Sequence, residues 1–223
     1  MRVRVRVEEC LKRLIRTSCV IYLVGCGGSQ PPDEPGPEAE PSESRPLPTA
    51  GIAGQPVTVY PLTFLVTEET LRQTAWGDQV QPREEALRTV DSLIAVFLTE
   101  RAPEADWVLP EELRRVHRQA PNMLADPDKM GTSLLRAEFE RVPDPLRIQM
   151  RSLTGVAGES WALVPASLVF YEEPDGQGRA ELTMVLVDVR YGRPVWRTVA
   201  EGVGADAWTA TWNALKTLVP GLP

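Results

Sequence analysis

The sequence predicts an α/β domain, with a mixed sheet that ends in an antiparallel meander, behind a disordered N-terminal tether. Three observations predict it. Late in the chain, Ser160 to Gly202 reads as three strands in succession: SWALVPASLVFYEE, RAELTMVLVDVR and GRPVWRTVAEG. Before them, short apolar runs alternate with stretches whose apolar residues recur at helical spacing. Before those, the chain up to Gln55 holds almost no large apolar residue once past Cys26. The expected element order is β-α-β-α-α-β-β-β-α. Early crossover helices followed by late hairpins imply a mixed sheet packed by helices.

Taken from the start, residues 1–25 read as a signal peptide. Arg2, Arg4, Arg6, Lys12, Arg13 and Arg16 stand against Glu8 and Glu9, and the short apolar run Cys19–Val24 follows. A basic region, a brief apolar region and a small residue at the cut describe a secretory leader. The run is far shorter than the roughly 20 apolar residues that span a bilayer. Leu23-Val24-Gly25-Cys26 resembles the lipobox of bacterial lipoproteins. That resemblance implies acylation of the Cys26 thiol, cleavage before it and anchoring in a lipid bilayer. Gly27, where an aspartate would signal retention, implies the outer membrane and its periplasmic face.

Residues 26–55 are expected to form the tether. Proline, glutamate, serine and glycine dominate it, and such a composition cannot bury enough surface to offset its ordering entropy. Its prolines favour extended conformers of about 3 Å per residue. A spacer between membrane and domain, and a disordered leader without mechanical purpose, both fit.

The domain is expected over residues 56–223. Pro56–Leu62 reads as the first strand, with Pro61 at its end because proline lacks an amide donor. Gln73–Gln81 reads as a polar loop carrying Trp76 and Gly77. Pro82 opens a helix with Glu84 and Glu85 in its first turn, where the dipole favours anions. Ala86, Val90, Leu93, Ile94 and Phe97 give it an apolar stripe, and it ends near Arg101. Asp106–Leu109 is a short strand, and Pro110 starts a second helix. Helical turns are expected within Ser133–Val142, and a helix after Pro143 and Pro145, with Leu146, Met150 and Leu153 on one side. In the middle meander strand both parities are apolar, Leu182, Met184 and Leu186 against Val185, Val187 and Val189. Both of its faces should therefore be covered. PDGQG and Tyr191-Gly192 are its reversing turns. A last helix from Asp206 places Trp208, Trp212, Leu215 and Val219 on one stripe.

Val57-Thr-Val-Tyr-Pro-Leu62, Leu186-Val-Asp188, Tyr191-Gly192 and Val195-Trp196 together resemble a group of envelope proteins. The group comprises the curli secretion-channel lipoproteins, the lipoprotein activators of penicillin-binding proteins, and the N-terminal domain of TolB. The resemblance spans about residues 56–219 and implies the α/β fold above. The chain departs from the pattern in Tyr191, where the group commonly has threonine, and in a proline-broken insertion at residues 121–145. Because the group's members do different jobs, the resemblance speaks to fold more than to function.

The net charge of −7 and a pI near 5.0 exclude the basic footprint of a nucleic-acid binder. All three cysteines, Cys10, Cys19 and Cys26, precede the domain, so it holds no disulfide. No cysteine or histidine cluster has metal-ligand spacing, and no cofactor is implied. His117 lies on a predicted helix among Arg114, Arg115 and Arg118, as a solvated side chain would. Gly158-Glu-Ser160 lacks the second glycine of a nucleophile elbow and precedes a strand instead of following one. The chain is therefore expected not to be an enzyme. The first functional reading is a non-catalytic lipoprotein that binds envelope proteins or assembles with itself. The alternative is a small-molecule or glycan receptor of a transport system, and the third a hydrolase acting through His117 or Ser160. Trp76, Trp161, Trp196, Trp208 and Trp212 serve either as packing residues or as a partner-binding patch. Trp76, on a polar loop, is the candidate for exposure.

Overall fold

The computed structural model describes residues 44–156, 158 and 160–220. The leader, Leu23, Val24, Gly25, Cys26 and most of the tether lie outside the described residues. Six strands and seven helices follow in the order α1 (Thr49–Ile52), β1 (Pro56–Val59), β2 (Leu65–Thr67), α2 (Glu69–Arg72), α3 (Ala75–Gln79), α4 (Arg83–Arg101), β3 (Asp106–Val108), α5 (Pro110–Gln119), α6 (Asp144–Val156), β4 (Trp161–Glu172), β5 (Gly178–Asp188), β6 (Arg193–Gly204) and α7 (Ala207–Leu218). Two 3-10 turns, Pro127–Lys129 and Thr132–Arg136, lie between α5 and α6. No helix among the described residues is long and apolar enough to cross a membrane.

The sheet runs β3-β1-β4-β5-β6, with β2 also on β4. β1 and β2 lie parallel to β4, and β3 parallel to β1. The expected meander is there: β4, β5 and β6 pair antiparallel. Gly176 and Gly192 take the positive φ that its turns require, and the Asp188 carboxylate accepts the Tyr191 amide at 3.2 Å. A bulge at Pro165–Ser167 lets β4 keep one core on one side. Leu163 and Leu168 would fall on opposite faces of a regular strand, yet both join the same cluster.

Both sheet faces carry a core. On the first, Leu163, Leu168, Phe170, Leu182, Met184 and Leu186 pack with Val90, Ile94 and Phe97 of α4 and with α7. On the second, Ala162, Val164, Val185 and Val187 pack with Leu113 of α5 and with Leu146, Met150 and Leu153 of α6. Met130, Leu135 and Val142 also point into this second core, so the proline-broken stretch 121–145 is a cover for it.

Two expectations are corrected here. The domain begins before Pro56. Arg45 donates its amide to Thr198 Oγ1 at 2.7 Å, Leu47 donates to the Leu218 carbonyl at 2.7 Å, and Leu47 and Ile52 are buried. These are among the few large apolar side chains of the stretch, and their burial ties its C-terminal part to the domain. The stripe of α7 is also rotated from the expected one. Ala207, Ala210, Thr211, Ala214, Leu215 and Leu218 are its buried residues, and Trp208 and Trp212 flank them. Gly202 and Gly204 explain this, because a Cβ on either would collide with the backbone at Ala210 or Ala214. At that approach only small side chains fit between helix and strand.

Candidate functional site

Trp76 is not the exposed aromatic that its polar surroundings suggested. It sits on α3, where a loop was expected, and is only 7% exposed. Thr74 Oγ1 caps the helix by accepting the Trp76 amide at 3.2 Å. The indole meets Phe170 edge-on at 5.6 Å and donates to the Ala205 carbonyl at 3.1 Å. It lies flat over Gly178, in the place that a side chain there would fill. The pull on this indole is a packing vacancy at Gly178, six elements further along the chain, and no local pattern reveals it.

His117 and Ser160 are not brought together by any contact. His117 Nδ1 lies 3.1 Å from the Leu124 carbonyl, which holds the loop after α5. Ser160 Oγ accepts from Arg190 at 3.4 Å, and its carbonyl accepts the Val189 amide at 2.8 Å.

A charged cluster that the sequence analysis passed over joins α4 to α5. β1 and β2 are interrupted between Tyr60 and Phe64, and there the Leu62 amide turns to Asp91 Oδ1 at 2.9 Å. Arg114 donates to Asp91 and, through Nε and Nη2, to Asp128. Asp91 is only 5% exposed. Burial pushes its carboxyl up to about 6, against the lowering by Leu62 and Arg114. Burial also opposes the charge on Arg114, but the Asp128 and Asp91 carboxylates outweigh it and raise that group further. The arginine gains from the pair while the aspartate loses. The aspartate, the deeper of the two, governs the balance. Its position between Val90 and Ile94, on the apolar stripe, was the available signal. A cleft of about 340 Å³ opens beside the pair, lined by Arg88, Ser92, Leu109 and Glu111 among others. Its walls mix the charged Arg88, Asp91, Glu111 and Arg114 with the apolar Ala95, Leu109 and Pro110.

The feature without an internal explanation is the far half of the second sheet face. The second core reaches Ala166 and Val185. The segment after α5 closes it off there, with the Arg136 guanidinium 4.2 Å above the Phe64 ring and Arg197 paired to Glu138 at 3.3 Å. Beyond that line the strands continue with side chains that are half-buried or partly exposed. Register sets Val66, Val169, Glu181 and Glu201 in one row across four strands, with Tyr171, Arg179 and Val203 in the next. Val66 is 40% and Val203 42% exposed, while Val169, Tyr171, Arg179 and Glu181 are half-buried. Arg179 is engaged by Glu173 at 2.7 Å and Glu201 at 3.2 Å, and its guanidinium lies 5.2 Å from the Tyr171 ring centre. Glu181 has no ion-pair partner among the described residues and stands directly opposite Glu201. Burial and then the nearby Glu181 carboxylate raise the Tyr171 hydroxyl above its ordinary value.

No protein-family description and no curated protein matches this chain. Solved structures do. PelC of Paraburkholderia phytofirmans, solved as a dodecamer, shares 17% identity over 79% of this chain and 91% of its own, with a TM-score of 0.38. The C-terminal domain of LpoB from Escherichia coli shares 17% over 67% of this chain and 83% of its own, with a TM-score of 0.38. Lipoprotein GNA1162 of Neisseria meningitidis shares 14% over 67% and 80%, with a TM-score of 0.33.

Proposed function

We propose that the chain is a secreted bacterial lipoprotein, acylated on Cys26 after cleavage behind Leu23-Val24-Gly25, whose α/β domain docks without catalysis onto another protein of the cell envelope. The bare half of the second sheet face carries the docking part of this reading. Among the described residues, helices and the 121–145 segment cover the rest of both faces, and the partly exposed Val66 and Val203 beside the half-buried Val169 mark an interaction surface. The anchor rests on the sequence: a basic leader, a short apolar run and a cysteine followed by a proline-rich spacer. Two or more acyl chains hold a domain at a membrane where one does so only weakly. Gly27 favours the outer membrane, with the domain in the periplasm.

Two measurements test it. Radiolabelled palmitate is expected in the wild-type chain and absent from Cys26→Ser, which leaves the membrane fraction; a soluble, unlabelled wild type overturns the anchor. A photo-crosslinking residue at Val169 in intact cells is expected to give a discrete protein adduct. A residue at Val96, exposed on α4, is expected to give none. Equal adducts from both positions refute docking through the sheet.

A further inference from the structure

We infer that the uncovered half of the sheet takes a protein segment that presents a lysine or arginine among apolar side chains, with that cation placed against Glu181. This rests on the docking reading above and specifies its partner.

Glu181 and Glu201 face each other across β5 and β6, and like charges in that position repel. Arg179 relieves Glu201 and Glu173 but is not paired with Glu181. Two carboxylates thus share one guanidinium, and the third, Glu181, stands half-buried with no counter-charge among the described residues. Such an arrangement costs stability in the isolated domain and is relieved by one incoming cation. Val169 stands directly opposite Glu181 on β4, with Val66 beyond it on β2 and Tyr171 and Val203 in the adjacent row, so the cation must arrive with apolar neighbours that cover them.

Other occupants are disfavoured by the same charges. A second copy seated face to face would set its own Glu181 and Glu201 against these. An anionic leaflet would be repelled. The chain's own tether carries Asp33, Glu34, Glu38, Glu40 and Glu43 and no basic residue from Gly27 to Glu43. The basic stretch before Cys26 is removed in the lipoprotein reading.

Two probes decide the point on the full chain in detergent. They are a heptapeptide alternating lysine with valine and tyrosine, and its glutamate counterpart. The lysine peptide is expected to bind in a salt-sensitive way, at least fivefold more weakly to Glu181→Gln/Glu201→Gln and unchanged to the equal-charge control Glu84→Gln/Glu100→Gln. Relief of the repulsion is expected to raise the melting midpoint of Glu181→Gln, which also certifies its folding. Equal weakening in both double variants, equal binding of both peptides, or no binding overturns the inference. In cells, crosslinks from Val66 and Val203 are expected on peptides bearing lysine or arginine beside apolar residues. Adducts on an acidic segment, on a second copy or on lipid sink this inference; an acidic protein segment leaves docking intact, whereas no protein adduct sinks docking as well.

Discussion

Asp91 shows how a single carboxyl can set a pH response for the whole domain. Below about pH 4 it carries its proton in the folded and unfolded chain alike. Its folded value lies near 6, up from 3.8, so between those limits only the unfolded chain has lost the proton. Stability therefore falls as pH rises through this window, by about 3 kcal/mol in total, and is flat above it. Asp91→Asn keeps an acceptor for the Leu62 amide and is expected to lose that slope. Urea melts at pH 4, 5, 6 and 7 check it, and an unchanged slope assigns the titration elsewhere. Arg114→Ala leaves Asp91 buried without its cation and is expected to cost about 3–5 kcal/mol at pH 7. The loss should be smaller at pH 5, where the carboxyl can take a proton. Gly178 gives a second test at this scale. Gly178→Ala pushes against the Trp76 indole and is expected to cost about 1–3 kcal/mol. A red shift of tryptophan emission would report the displaced ring.

At the scale of elements, two contacts fix the edge of the sheet to its neighbours. Asp206 caps α7 by accepting the amides of Trp208 and Thr209 at 3.0 and 2.9 Å. The Thr209 hydroxyl and these amides hold its carboxyl below the usual range. Asp206→Ala is expected to lose about 1 kcal/mol, measured by thermal melting. The segment around Leu47 binds the far end of α7, and Leu47→Ala is expected to lose about 2 kcal/mol. A chain begun at Pro56 should melt below one begun at Ser44; equal midpoints would show that this segment contributes nothing. The edge strand β6 has its own protection. Pro194 lacks an amide donor, and the register shift beside Val187 leaves Val195 as an extra residue that bends the edge away from further pairing. Contact through the sheet face, and not through this edge, is consistent with that geometry.

For the whole molecule, the organising fact is an asymmetry of layers. One end of the sheet is sandwiched by helices on both sides, while the other is covered on one side and open on the other. Much of the sandwich is legible in the chain. The double parity of β5, the turns at Gly176 and Gly192, and the stripe from Val90 to Phe97 are local patterns whose physics acts within a few residues. The same patterns locate α4 and α5 to within a residue or two. The candidate site is far less legible. Trp76 looked exposed because its neighbours in sequence are polar, yet the vacancy over Gly178 draws it inside. Asp91 acquires its role only where the break after Tyr60 supplies the Leu62 amide that it accepts. Glu181 and Glu201 lie twenty residues apart, and nothing before strand pairing says that they meet.

The long helices α4 to α7 and the meander follow from the chain alone, since each depends on spacing and residue type over a short window, whereas the short elements α1, β2, α2 and α3 do not. Which faces stay bare, which charges confront each other and which aromatic is inside are decided by register and by close approach between distant segments. Those contacts exist only once the sheet has assembled, because a β-strand has no fixed neighbour until another strand supplies its hydrogen bonds.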